Sequence, residues 1–481
     1  MVNRMRWSTR LLASVLGVVL ALVLVVLAAL WYLGIAPSAA GMAAKGVCSA
    51  AFVAGRPVHN LLAEDVLPAS PVLAAIRVEI NPAEHSVTAR FAGLFARRAV
   101  LLPSRGCVLD LAPDAAAVAY TPRADTGTPW PQGDAPVPPA QWGPGVHAAQ
   151  LGQAVEAAFV GAGDPQAANA RGLAVVHRGR LLVLRDAPGL APGTGLHGWS
   201  MTKTVAGMLT YKLMADKGPP LDAAVVDAFA SGRAPAWVAD WKKDARQRIR
   251  VSDLLFMRDG LASTEDYAPW GSVPHMLWGE PDTAAWAAAH PAEVAPGTRW
   301  RYLSASANVL AAVTRGRFAS DAEYWAYPAQ ALFEPIGAHS AVLETDTSGN
   351  WVGSSYLWAS LADWARLGQL MLQDGRWGQG AQQVQVLPPG WLQLARTPST
   401  AQREGLGYGA QTWLWGNREA GECKGYRGVP PDAMAMSGHW GQMVAVVPSR
   451  DAVVVRLGWT FNKAKFDGCQ LLEEVLSALP S

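Results

Sequence analysis

His197-Gly198-Trp199-Ser200-Met201-Thr202-Lys203-Thr204-Val205-Ala206-Gly207 contains the only Ser-x-x-Lys in this chain of 481 residues. On a helix, residues i and i+3 share one face, so the Lys203 amine reaches the Ser200 hydroxyl locally. A serine hydroxyl is a weak nucleophile until a neighbouring base or cation activates it. Upstream, Ala191-Pro192-Gly193-Thr194-Gly195 reads as a loop. Downstream, Val205 to Met214 reads as an apolar helix. Ser200 then stands at a helix start, where free N–H groups and the helix dipole favour developing negative charge. Taken alone, the same residues read equally as a helix cap beside a solvated lysine.

Strand signals lie on both sides of this helix. Gly172 to His177, Arg178-Gly179-Arg180 and Leu181 to Leu184 read as a β-hairpin. Met443 to Val447 and Ala452 to Leu457, joined by Pro448-Ser449-Arg450-Asp451, read as two late strands and a turn. His147 to Val160 has helical periodicity, and a mostly helical middle runs from about 205 to 430. Strands at both ends with helices between predict an α+β domain, with one antiparallel sheet assembled from N- and C-terminal pieces and a helical subdomain.

A Ser–Lys pair needs a proton carrier and an oxyanion site. Arg301-Tyr302-Leu303-Ser304 supplies a Tyr-x-Ser. A cation beside Tyr302 favours the phenolate, so a lowered pKa and a proton-shuttle role are expected of it. In isolation Tyr302 reads as a core tyrosine. Ser437-Gly438-His439-Trp440-Gly441-Gln442, at the start of a late strand, lets a substrate backbone approach a strand edge. The backbone amides of Ser200 and Gln442 suit an oxyanion. His439 alone reads as a loop histidine. Of the 21 tryptophans, Trp199 and Trp440 flank this candidate site, and most of the others suit core packing.

Charged residues make up 16% of the chain and the net charge is +2, with no basic tract to suggest nucleic acid. Leu11 to Leu33 is apolar and uncharged, long enough to span a bilayer. Arg4, Arg6 and Arg10 precede it, which places the N-terminus in the cytoplasm and the body outside. Trp31 and Tyr32 suit the far interface. The run exceeds an ordinary signal-peptide core, so it reads as an uncleaved anchor, although Ala36, Ser38, Ala39 and Ala40 resemble a cleavage site. Four cysteines, Cys48, Cys107, Cys423 and Cys469, lie beyond it, in what is then an oxidising compartment. Their clustering suggests Cys48–Cys107 and Cys423–Cys469, one of three possible pairings. Their spacing carries no metal signature. The expected divisions are a cytoplasmic tail (1–10), an anchor (11–34), a small extension (45–120), a Pro/Gly-rich linker (121–145) and the large domain (146–481).

The order Ser-x-x-Lys, Tyr-x-Ser about a hundred residues later, then His-Trp-Gly near the end resembles the serine hydrolases related to class C β-lactamases and DD-peptidases. Ile249 to Leu261, Gly353-Ser354-Ser355 and Asp363 to Gly368 agree with that family. Within it the chain is most similar to the 6-aminohexanoate-dimer hydrolase and carboxylesterase branch, and Glu265-Asp266-Tyr267 resembles the loop carrying a substrate-contacting tyrosine there. The resemblance covers about residues 146 to 475. It implies a β-lactamase-like fold and an acyl-enzyme on Ser200, with Lys203 tuning Ser200 and Tyr302. It also implies Tyr302 as base and then acid, and an oxyanion hole from Ser200 and Gln442. Ser304, Tyr267, His439, Trp440 and Gly441 become substrate-side residues, with no metal or cofactor. Ser304 stands where β-lactamases carry Asn, and His439-Trp440 where they carry Lys-Thr. The missing lysine removes a cation that holds a β-lactam carboxylate. The expectation is therefore a membrane-anchored hydrolase of a small ester or amide, on the periplasmic side of the inner membrane. The alternatives are a cell-wall DD-peptidase or D-amino-acid amidase, and an acylating penicillin sensor.

Overall fold

The computed structural model describes residues 2–111, 127–378 and 380–480. Its elements in chain order begin with α1 (Val2–Tyr32) and α2 (Ile35–Cys48), then β1 (Ile76–Asn81), β2 (Ser86–Phe91), β3 (Phe95–Leu102) and β4 (Gly106–Leu109). The large domain contributes α3 (Ala148–Ala158), β5 (Ala170–His177), β6 (Arg180–Asp186), β7 (Leu196–His197) and α4 (Thr202–Lys217). It continues through α5 (Ser304–Arg315), β8 (Val342–Leu343), β9 (Leu357–Ala359) and α6 (Leu361–Leu372). It ends with β10 (Met434–Gly438), β11 (Gln442–Val447), β12 (Ala452–Gly458) and α7 (Gly468–Ser477).

The central sheet is antiparallel, in the order β10-β11-β12-β5-β6. Val454 of β12 pairs with Val175 of β5, which joins the two ends of the domain. The β5–β6 hairpin turns on Arg178 and Gly179, both at positive φ, the geometry that matches strand twist in a two-residue loop. Side chains alternate between faces along each strand. Ala174, Val176, Val444, Val453 and Val455 pack with Val205 and Leu209 of α4 and Leu367 of α6. Leu173, Val175, Ala445 and Val454 pack on the other face with Leu151 of α3 and Leu472 and Val475 of α7. Both faces are covered, so these strands read as continuous apolar runs.

The N-terminal extension is a β1-β2-β3-β4 meander with α2 packed on it. It starts ten residues before its expected boundary at 45, because α2 begins at Ile35. Ala36, Ala39 and Ala40, read above as a cleavage-like site, are buried in that helix. Cys48–Cys107 ties α2 to β4, and Cys423–Cys469 ties a late loop to α7, the expected pairing in both cases. A buried pair, Lys45–Glu344 at 3.5 Å, fastens α2 to the residue that follows β8. Cys107 N–H donates to Glu344 at 2.6 Å. The extension is therefore built into the large domain rather than tethered to it.

Residues 112–120 of the expected extension and 121–126 of the expected linker lie outside the described residues. From 127 the Pro/Gly-rich stretch is strapped to the body: Arg366 holds Asp134 at 2.7 Å and the Gly133 carbonyl at 2.8 Å. Within α1, Leu12–Tyr32 forms a 21-residue segment of mean hydropathy 3.0, with Leu12, Leu16, Leu20, Val25 and Trp31 among its exposed side chains. At 1.5 Å per residue it spans about 32 Å, the thickness of a bilayer core.

Candidate active site

Ser200 sits in a single tight turn, Trp199–Met201, between β7 and α4. Backbone crowding shapes this turn. A Cβ on Gly198 would lie 2.2 Å from the Trp364 ring, and one on Gly438 would lie 2.2 Å from the Gly198 carbonyl. Glycine at both positions lets the end of β10 run directly against the Ser200 turn. Trp199 has φ 48° and Trp440 φ 60°, left-handed values that cost on the order of 1 kcal/mol each for a bulky residue. The two indoles pack edge to face at 4.9 Å, each holding the other's strained backbone in place.

Lys203 is 1% exposed, not the solvated residue its sequence also allowed. Its Nζ donates to Ser200 Oγ at 2.8 Å, to Ser304 Oγ at 3.0 Å and to the Ser354 carbonyl at 2.9 Å. Burial lowers its pKa to about 8, against an opposing pull from Glu265. The supports of this amine come from three elements. Ser304 opens α5, and Asn308, one turn further on, accepts the Ser354 N–H at 3.1 Å. His197 Nε2 lies 2.6 Å from the Ser355 carbonyl. Its ring stacks on Trp358, and burial holds its pKa down at about 3, so it is a neutral prop.

Tyr302 Oη is in hydrogen-bonding reach of Ser200, and the Lys203 amine lies 4.8 Å from the Tyr302 ring centre. Its pKa runs opposite to the expectation from sequence. Burial, with the Glu265 carboxylate adding to it, raises the phenol well above its ordinary value. The nearby cation does not offset the loss of solvent, so Tyr302 is a neutral phenol. Glu265 is the residue whose importance the sequence hid. It accepts from Ser304 N at 2.6 Å, from Ser304 Oγ at 2.7 Å and from Tyr267 Oη at 2.8 Å. Tyr267 Oη also reaches Ser200, and burial and Glu265 raise its pKa too. A chain of hydrogen-bonded groups thus runs from Ser200 through Lys203, Ser304 and Glu265 to Tyr267. The only sequence signal for Glu265 was its place beside Tyr267.

The β10–β11 hairpin closes the other side. The His439 ring stacks on Tyr267 at 4.8 Å and 5°, and burial pulls its pKa down to about 3. Gly441, at φ 81°, completes the tight loop after Trp440. Arg456 fixes that loop by donating to the Gly441 carbonyl at 2.9 Å and to Thr460 Oγ1 at 2.8 Å. The Gln442 side chain turns into the sheet, bonded to both backbone groups of Gly458. Ser200, Tyr267, His439 and Trp440 line one cavity of about 170 Å³, while Gln442 faces a neighbouring one. The structure thus gathers Ser200, Lys203, Tyr302, Ser304, Tyr267, His439 and Trp440, and sets the Gln442 side chain apart.

None of the cavity's described lining residues is Lys or Arg. Among the described residues no group of three or more His, Cys, Asp or Glu is placed to hold a metal. A serine flanked by a buried amine and a neutral phenol, under an apolar cavity, suits nucleophilic attack on an uncharged carbonyl.

Solved structures share this fold. A proposed 6-aminohexanoate-dimer hydrolase from Bacillus anthracis superposes with TM-score 0.50 at 17% identity, covering 66% of this chain and 82% of its own. A proposed beta-lactamase from Bacteroides dorei gives 0.53 at 16%, covering 69% and 99%. A penicillin-binding protein homologue from Caulobacter crescentus gives 0.50 at 15%, covering 69% and 97%. Among curated proteins none matches. The beta-lactamase family model matches residues 152–472, well over half of the sequence, so the chain is a serine hydrolase that belongs to the beta-lactamase family.

Proposed function

We propose that this protein is a membrane-anchored hydrolase of an uncharged ester or amide, acting through an acyl-enzyme on Ser200. The observation that carries the reading is Ser200 Oγ at 2.8 Å from an amine that burial has brought to about 8. Near neutral pH a useful fraction of such an amine is free to accept the Ser200 proton as the hydroxyl attacks. The tetrahedral oxyanion is received by the Ser200 amide and an amide of the Gly438–Gln442 hairpin. Tyr302, neutral and beside Ser200, gives its proton to the leaving alcohol or amine and recovers one through Lys203. Water then attacks the acyl-enzyme by the same path in reverse. The anchor reading is supported by Leu12–Tyr32, and by the burial within α2 of the residues that resemble a cleavage site.

Substrates carrying a carboxylate, as DD-peptidases and β-lactamases take, are disfavoured. The described lining residues include no Lys or Arg, and burial lowers the His439 pKa to about 3. In full-length protein, Ser200→Ala lowers hydrolysis of p-nitrophenyl butyrate by about 10³-fold or more. Intact-mass analysis finds a fluorophosphonate adduct on the wild type and none on the variant. Turnover surviving Ser200→Ala refutes the assignment. A wild-type acyl adduct that persists for hours would instead identify a sensor.

A further inference from the structure

The Ser200 cavity is walled by the helix that leaves the membrane segment. Only Leu33 and Gly34 separate the end of α1 from the start of α2. Ile35, Ser38, Ala39 and Met42 line the cavity, and they fall at i, i+3, i+4 and i+7, one face of α2. From Ile35 to Met42 that face runs about 10 Å at 1.5 Å per residue. The facing wall, Val273 to Trp278, meets the same point of exit. A Cβ on Gly34 would lie 2.8 Å from His275 Nδ1, and one on Gly41 would lie 2.6 Å from the Trp278 carbonyl. The remaining wall, including Val72 and Leu73, comes from the segment before β1. Polar lining groups concentrate at the catalytic end, at Ser200, Tyr267, Ser355 and His439, with Ser38 and Ser70 the exceptions.

Apolar side chains stand exposed around this exit. Trp31, Tyr32 and Leu33 are each more than half exposed, and Trp31 stacks on Phe95 at 5.2 Å beside the exposed Leu94. Trp270 is 64% exposed and follows Pro269, itself a lining residue. Exposed Trp, Tyr and Leu at the end of a membrane span are interfacial anchors rather than solvent-facing residues.

We infer that the active-site mouth faces the bilayer and that the substrate is a membrane-borne amphiphile, an ester or amide of a long-chain acyl group. This rests on Ser200 being the nucleophile. The acyl chain lies between α2 and the 269–278 segment, with its carbonyl at Ser200. Attack by Ser200 Oγ breaks the bond from the carbonyl carbon to the headgroup oxygen or nitrogen. The headgroup leaves as an alcohol or amine with the Tyr302 proton, which the Ser200 proton replaces through Lys203, and water releases the chain as a fatty acid.

The test uses full-length protein in phospholipid nanodiscs with p-nitrophenyl acetate, octanoate and decanoate, alongside Ser200→Ala. Wild-type kcat/KM rises at least tenfold from acetate to decanoate. Met42→Trp, which fills the channel, lowers the decanoate-to-acetate ratio at least fivefold. Equal rates across the series, all lost in Ser200→Ala, would overturn the inference and leave the hydrolase reading standing. Rates that survive Ser200→Ala would overturn both. A nitroxide on Trp270→Cys relaxes more with oxygen than with a water-soluble nickel chelate if the mouth meets lipid. The reverse order would refute the bilayer-facing mouth.

Discussion

Lys203 and Glu265 decide the site's pH behaviour. In the proposed mechanism Lys203 has to be unprotonated to take the Ser200 proton, and burial brings its pKa to about 8. Hydrolysis therefore rises with pH and levels off once the amine has titrated through that value. Glu265 raises the Lys203 pKa, so Glu265→Gln moves the rising limb to lower pH. It also weakens kcat, because Ser304 and Tyr267 lose the carboxylate they share. A limb that stays in place, or moves upward, in the kcat/KM profile of Glu265→Gln would show that Lys203 is not the titrating base. If Tyr302 is the proposed proton donor for the leaving group, Tyr302→Phe costs about 10²–10⁴-fold in kcat. That loss shrinks for p-nitrophenyl esters, whose leaving group needs no proton. Ser200 and Lys203 were legible from a four-residue spacing. The state of Tyr302 was not, because desolvation depends on what surrounds the phenol rather than on its neighbours in sequence.

The strands, their hairpin turns and the helix after Ser200 followed from local periodicity and turn chemistry. Residues 170–186 and 442–458 show this, since each pair's register is set by its own turn and alternation. The α2 element did not yield in the same way. Its Ala/Gly-rich sequence reads as the tail of a leader, and its burial comes from β2, β3 and the 275–279 turn. Its Lys45–Glu344 pair joins residues 299 apart in sequence, with Ser49 Oγ at 2.9 Å from the same carboxylate. Lys45→Met leaves Glu344 buried without its cation and costs about 3–5 kcal/mol. Adding Glu344→Gln recovers much of that loss, as a double-mutant cycle on thermal unfolding would register. A single-variant loss below about 1 kcal/mol would mean that α2 is not held by this pair.

For the whole molecule, the folded body begins at Ile35, directly after the apolar helix, rather than at 45. Deleting residues 2–33 moves the protein from the carbonate-resistant membrane fraction to the soluble one, while Ser200-dependent hydrolysis of p-nitrophenyl acetate continues. Deleting residues 2–48 removes Lys45, Cys48 and one wall of the cavity, and abolishes that activity. Equal activity of the two truncations would show that α2 is dispensable to the site. The sequence by itself determined the family, the Ser200–Lys203 spacing, the apolar span and the strands, because each is written in short-range spacing or composition. Only the tertiary structure decided that Glu265 links Ser304 to Tyr267, that Tyr302 is neutral, and that α2 walls the cavity. Those outcomes depend on burial and on contacts between separate segments, Ser304 lying 39 residues from Glu265 and 101 from Lys203, and one-dimensional spacing carries no record of desolvation.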